Sequence, residues 1–217
     1  ELEGYGTTSG LSFDVIFGYS GSYAAGGHGF EPAIVTDDTV VQDPDQSFDP
    51  NDGYSNQHQF TISGAAFLRF AMPEPREPDA DLDLYLYDPL GNQVARSTAG
   101  GTDEQIDILL PMDGTWTLWV HGWSTPGGDS DYYLYTWEVS ATPGGSLTID
   151  SAPSAATLGA TGIIDVSWFN LWDGKLADWH LGAVSHTGDV GLMCLTLIDV
   201  DLRFPTARPQ PGVGPRN

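Results

Sequence analysis

The sequence predicts an all-β chain made of two sandwich-like units, a jelly-roll β-sandwich and a second, immunoglobulin-like β-sandwich. Three observations carry this expectation. Short runs of β-branched and aromatic residues recur along the chain, Gly, Pro, Asn and Asp punctuate them, and helix-period stretches are nearly absent. The composition, 40% hydrophobic and 12% aromatic, is too apolar for a disordered acidic segment. A chain of 217 residues is long enough for one large or two modest cores.

Taken in order, Leu11–Phe17 alternates as a strand should, and Ala33–Val35 and Thr39–Val41 are shorter candidates. The acidic loop Asp43–Gly53 follows. Stronger signals come next at Gln57–Ile62, Ala66–Met72, Leu82–Tyr87, Gln93–Ser97, Glu104–Leu110, Thr115–Gly122 and Tyr132–Ser140. The connections carry turn chemistry: Asp88-Pro89-Leu90-Gly91-Asn92 is a tight reversal, and Asp113-Gly114 is a hairpin pair. Thr142–Gly145 reads as a linker. Beyond it, Leu147–Ile149, Gly162–Trp168, Trp179–Val184 and Leu192–Val200 form a second strand set, with a helical turn expected only near Trp172–Leu176.

Four strands are few for a closed sandwich. Residues 1–45 are therefore expected to supply N-terminal strands, either to the unit at 143–204 or packed on the jelly roll at 55–140. Four of the last fourteen residues are proline, so 205–217 is expected to be an extended Pro/Gly tail. The chain opens on Glu1-Leu2-Glu3 with no signal-peptide pattern, as expected of a mature or excised segment.

Charge excludes several partners. With 30 acidic residues against 7 basic ones, the net charge of −23 repels nucleic acid and anionic lipid. No run approaches the roughly 20 apolar residues of a membrane span. Cys194 is the single cysteine, so no internal disulfide forms, and its apolar surroundings predict a small buried side chain.

A pattern emerges at Asp79-Ala80-Asp81-Leu82-Asp83-Leu84-Tyr85-Leu86-Tyr87-Asp88-Pro89-Leu90-Gly91-Asn92. It continues through Ser97–Gln105, Gly114–Trp123 and Tyr133–Trp137. This resembles the bacterial pre-peptidase C-terminal domain, a jelly roll carried beside secreted proteases. Phe13–Phe30, Gln42-Asp43-Pro44 through Asp49-Pro50, Thr157–Gly162, Val166–Trp168 and Leu181–Ser185 extend the likeness. Over roughly residues 11–203 the chain is similar to the region following the catalytic domain of some bacterial subtilisin-like proteases. The resemblance implies a secreted, non-catalytic accessory module at the cell surface or outside it. Its expected partner is the parent protease domain or an extracellular polymer. A structural subunit that forms a homo-polymer by strand or tail exchange is the alternative.

The residues themselves agree about catalysis. Five histidines are present, but none lies in a subtilisin-type motif and no nucleophile turn accompanies them, so no enzyme is expected. His28 and His121 read as packed, hydrogen-bonded histidines. Calcium is the better chemical expectation, because oxygen side chains alternate in Asp43-Pro44-Asp45-Gln46-Ser47-Phe48-Asp49. An EF-hand is excluded by Phe48 and Tyr54 at its Gly and Glu positions, leaving either an irregular site at Asp43, Asp45, Asp49 and Asp52 or a solvated acidic turn. A second candidate pairs Asp81 and Asp83 on one strand face, completed by Asp103 and Glu104, with backbone bracing as the competing reading. Among the aromatics, Trp116, Leu118 and Val120 share one face, which leaves Trp119 on the other. Trp119 and nearby Trp123 are the candidate binding residues.

Overall fold

A computed structural model describes residues 1–73, 76–77, 79–171 and 178–203. The turn expected near Trp172–Leu176 and the tail 205–217 lie outside the described residues. Within them, every helix or strand element is a strand. In chain order these are β1 (Leu2–Glu3), β2 (Ser9–Ile16), β3 (Gly21–Ser22), β4 (Ala24–Pro32), β5 (Ile34–Val41) and β6 (Ser55–Ile62). β7 (Ala65–Met72), β8 (Asp81–Tyr87), β9 (Gln93–Ser97), β10 (Glu104–Leu109), β11 (Gly114–Ser124) and β12 (Asp129–Ser140) follow. The chain continues with β13 (Thr148–Ser151), β14 (Ala155–Ala156), β15 (Thr161–Trp168), β16 (Trp179–Gly188) and β17 (Gly191–Asp201). No helix among the described residues is long and apolar enough to cross a membrane.

Four main sheets result, and they stack. Sheet I is β13-β15-β2, with the small ribbon β14-β3 beside it; sheet II is β1-β17-β16-β4. Sheet III is β10-β7-β12-β5, and sheet IV is β6-β11-β8-β9. Thus the chain from β1 to β4 pairs with strands near the other end, β2 with β15 and β4 with β16, whereas β5 pairs with β12.

Alternation explains the outer sheets. Leu82, Leu84 and Leu86 of β8, with Trp116, Leu118 and Val120 of β11, point inward from sheet IV and meet Leu68, Phe70 and Met72 of β7. Across the molecule, Ile164, Val166 and Trp168 of β15 meet Val184, Ile198 and Val200 of sheet II. A third apolar layer joins the two halves: Phe67, Ala71, Tyr135 and Trp137 of sheet III lie against Trp179, Leu181 and Ala183 of sheet II. Sheets II and III are therefore covered on both faces. That is why β7 is buried at every position and β16 at all but its last two, and why both read as continuous apolar runs.

A buried charge of β7 enters the apolar contact between sheets II and III. Arg69 of β7 is 2% exposed, and Glu1 and Asp107 each grip its guanidinium with two hydrogen bonds of 2.6–3.1 Å. Asp199 of β17 stands 3.6 Å away and accepts from the Trp179 indole N–H at 2.6 Å. The cluster joins the first residue, sheet III and sheet II. Burial pushes the Asp199 carboxyl up to about 6, against the opposing pull of Trp179 and Arg69. The folded chain thus holds a proton that the unfolded chain releases between about pH 4 and 6. Stability from this group is present at low pH and lost as pH rises through that window. Asp199→Asn is expected to gain on the parent chain, by on the order of 3 kcal/mol, as pH is raised from 4 to 8. Urea unfolding of both proteins at the two pH values checks this; an unchanged difference refutes it.

The cysteine departs from expectation. Cys194 is exposed rather than buried, because β17 is an edge strand and β1 flanks it only at Ile198 and Asp199.

Candidate functional site

The outer face of sheet IV carries the residues that alternation sends away from the core. On β11 these are Thr115, Thr117, Trp119 and His121; on β8 they are Asp83, Tyr85 and Tyr87. The register sets Trp119 opposite Tyr85 and His121 opposite Asp83, with Gln57 of β6 on the far side of Trp119.

The acidic loop between β5 and β6 closes one end of this face. Its first turn passes so near β11 that a Cβ on Gly122 would lie 2.2 Å from the Val41 carbonyl oxygen, so only glycine fits. Gln42 donates to the Trp123 carbonyl at 2.9 Å, and the Asp43 amide donates to the Gly122 carbonyl at 2.9 Å. Asp43 then turns inward and is 1% exposed. One of its oxygens accepts the Asp45 amide and the other the Ser47 amide, each at 3.0 Å. Phe48 follows and lies flat on Tyr85, with ring centroids 3.8 Å apart and planes 5° apart. Its edge also meets Trp119, at 6.4 Å.

Beneath this stack lies an imidazole between two carboxylates. His121 is fully buried; its Nε2 is 2.8 Å from Asp43 Oδ2 and its Nδ1 is 3.4 Å from Asp83 Oδ2. Burial alone disfavours a charged ring. The hydrogen bonds and charges of Asp83 and Asp43 outweigh burial and raise the His121 pKa. For Asp43, burial is likewise outweighed by His121 and the amides of Asp45 and Ser47, which lower its carboxyl pKa. Both ring nitrogens of the buried His121 face carboxylates, and neither is turned toward the surface. The cluster is a brace.

The remaining acidic residues are placed separately. Asp45 accepts the Ser47 amide, Asp49 the Asn51 amide and Asp52 the Tyr54 amide, each as a local turn brace at 2.9–3.0 Å. Asp81 accepts the Gly101 amide at 3.1 Å; burial first, and then the nearby Asp83, raise its pKa. Glu104 is 1% exposed and accepts the Ser97 hydroxyl, and burial together with Asp83 and Asp81 raises its pKa too. Asp103 is exposed in the loop before it. The structure thus joins Asp43 to Asp83, one from each proposed set, through a histidine that the sequence marked as packed or hydrogen-bonded, without naming its partners. Among the described residues, no group of three or more His, Cys, Asp or Glu is gathered as a metal ion requires.

The binding candidates lie where alternation put them. Trp119 is half-buried between Phe48 and Gln57, and Trp123 is 38% exposed at the strand exit. Tyr85, Tyr87 and Phe48, which the sequence did not single out for binding, complete the aromatic face. Exposed Gln57, Gln59 and Arg96 border it.

The fold and this face define an all-β, sandwich-type module. Over 61 residues the chain is 39% identical to pyrolysin of Pyrococcus furiosus. The match covers 28% of this chain and 4% of pyrolysin, so the chain spans only a small part of that relative's length. No family model matches the chain. Among solved structures, the pre-peptidase C-terminal domain of a Bacillus anthracis collagenase is similar at 14% identity and a TM-score of 0.37, covering 49% of this chain and 90% of that one. The periplasmic lysozyme inhibitor PliG of Aeromonas hydrophila is similar at 9% identity and a TM-score of 0.32, covering 64% of this chain and 96% of its own.

Proposed function

We propose that this chain is a non-catalytic accessory module of a secreted protease, and that it holds a polymeric protein substrate on the outer face of sheet IV. The observation that carries this reading is the aromatic face of Trp119, Tyr85 and Phe48, rigidly backed by the His121 brace. Half-buried rings offer large contact area at small entropic cost, and flanking amides supply adaptable hydrogen bonds. A face locked before binding loses little on complex formation. The surrounding negative charge favours cationic stretches of a polypeptide and disfavours nucleic acid. The match to part of pyrolysin supports the protease as parent, and a secreted parent sets the module outside the cell.

Trp119→Ala is expected to weaken co-sedimentation with insoluble fibrous protein by about tenfold or more, in the range of a central aromatic anchor. Thermal unfolding should move little, because the ring lies outside the core. Undiminished sedimentation of the variant would remove this face from the function. A parent chain that sediments with no fibrous protein would remove substrate holding altogether.

A further inference from the structure

Sheet II ends on β17, and that edge is only half covered. β1 pairs with it at Leu2↔Ile198 and Glu3↔Asp199; among the described residues no strand flanks the outer side of Gly191–Leu197. A single bond gives the direction of the exposed backbone groups. The Gly4 amide donates to the Asp199 carbonyl at 2.7 Å, so Asp199 presents its backbone to this side. β1 already takes the Leu197 carbonyl through the Leu2 amide, so alternation leaves the N–H of Leu197 and the N–H and C=O of Leu195 on the open side, while Ile198 and Thr196 face Gly182 and Val184 of β16. An open row of donors and acceptors is a template for one more strand.

The side chains beside this row describe the strand that fits. A cavity of about 650 Å³ opens between β2 and β17, and Val15, Phe17, Tyr23, Met193 and Cys194 line it. Ile16 and Val190 stand at its rim, 77% and 89% exposed. On a chain of net charge −23, this lining holds one carboxylate, Asp189, which already accepts the Ser22 hydroxyl. His186, in the cavity wall, has one ring nitrogen 2.6 Å from the Tyr23 hydroxyl and the other 2.8 Å from the Thr196 hydroxyl. The cavity therefore suits uncharged, apolar groups.

We infer that the free edge of β17 docks an extended, uncharged segment of a partner polypeptide, with apolar side chains at alternate positions entering the cavity. Leu195 and Leu197 pair with its backbone. β1 already occupies the same row, so the added strand continues an interface present in the fold. This is main-chain recognition with side-chain pockets at every second residue, on a surface separate from the aromatic face.

The test uses the whole chain, the synthetic peptide acetyl-Ser-Val-Thr-Val-Thr-Val-Ser-amide, and the same peptide N-methylated at alternate residues. Amide exchange of Leu195 and Leu197 should slow about tenfold with the first peptide at millimolar concentration and not with the second. Leu195→Pro should keep the fold, because the amide it removes faces outward, and should lose the protection. Met193→Arg should lose it as well, by introducing charge at the cavity. Absence of slowing, equal slowing by the methylated peptide, or unchanged binding by both variants overturns the inference. Self-association that protects the same amides overturns it in favour of a second copy. Trp119→Ala should bind the peptide normally, so edge docking and substrate holding fail independently.

Discussion

Replacing Arg69 by Met will cost the fold about 3 kcal/mol, read as a lower urea midpoint with an unchanged slope. The methionine fills similar space in the layer between sheets II and III, so lost volume contributes little. The loss comes from the carboxylates left behind. Glu1 and Asp107 keep some contact with water, at 39% and 34% side-chain exposure, which holds the effect to the lower end of the range for a broken buried pair. Asp199, at 17%, cannot regain solvent and will be driven further toward its protonated form. Adding Asp199→Asn to the variant should therefore recover part of the loss. A cost below about 1 kcal/mol would show that the network merely tolerates the guanidinium.

His121→Gln is expected to be at least as severe, about 3–5 kcal/mol, because it leaves Asp43 and Asp83 buried without a cation. The loop from Asp43 should loosen, Phe48 should leave Tyr85, and Trp119 fluorescence should shift toward that of a hydrated ring. The pH dependence has two sides. His121 is raised, so its stabilisation is complete below the ordinary imidazole value and lost as pH climbs through the raised one. Asp43 is lowered, so its stabilisation is complete above the ordinary carboxyl value and lost as pH falls through the lowered one. The gap between parent and variant should be widest between about pH 4 and 6.5, the two ordinary values. A gap that stays flat from pH 4 to 9 would mean that His121 acts by shape alone.

Local periodicity was enough for the strands of sheet IV. Leu82, Leu84 and Leu86 alternate with Asp83 and Tyr85, and one face of such a strand must be the core. It served less well inside the stack. β7 and β16 read simply as strands, and their unbroken apolar character was a sign of two covered faces. β4 escaped notice altogether. Its glycines give no period, and their purpose is tertiary: a Cβ on Gly27 would lie 2.4 Å from the Leu147 carbonyl oxygen. Cys194 was misjudged because an apolar run does not say whether its strand is central or at an edge.

The candidate site divides the same way. The outward placement of Trp119 was legible from the faces of β11, whereas Asp43 and Asp83 stood out only as calcium candidates in two separate sets. What connects those carboxylates was not legible, since His121 lies 78 residues from Asp43 and only the loop crossing brings them together. Phe48 stood out only as the residue that spoils an EF-hand. Its stacking on Tyr85 depends on the same crossing.

The pairing of β2 with β15 and of β4 with β16 has a consequence for how the molecule comes into being. As the chain emerges from the ribosome, β2 and β4 must wait for partners about 150 residues away, while β5 to β12 already hold every strand of sheets III and IV. Sheets III and IV are thus able to form during synthesis. The early strands stay unpaired until the last strands arrive, and contacts of such separation form slowly. In that interval the apolar surface of Phe67, Ala71, Tyr135 and Trp137 lies bare, and this nascent species is the one most exposed to aggregation.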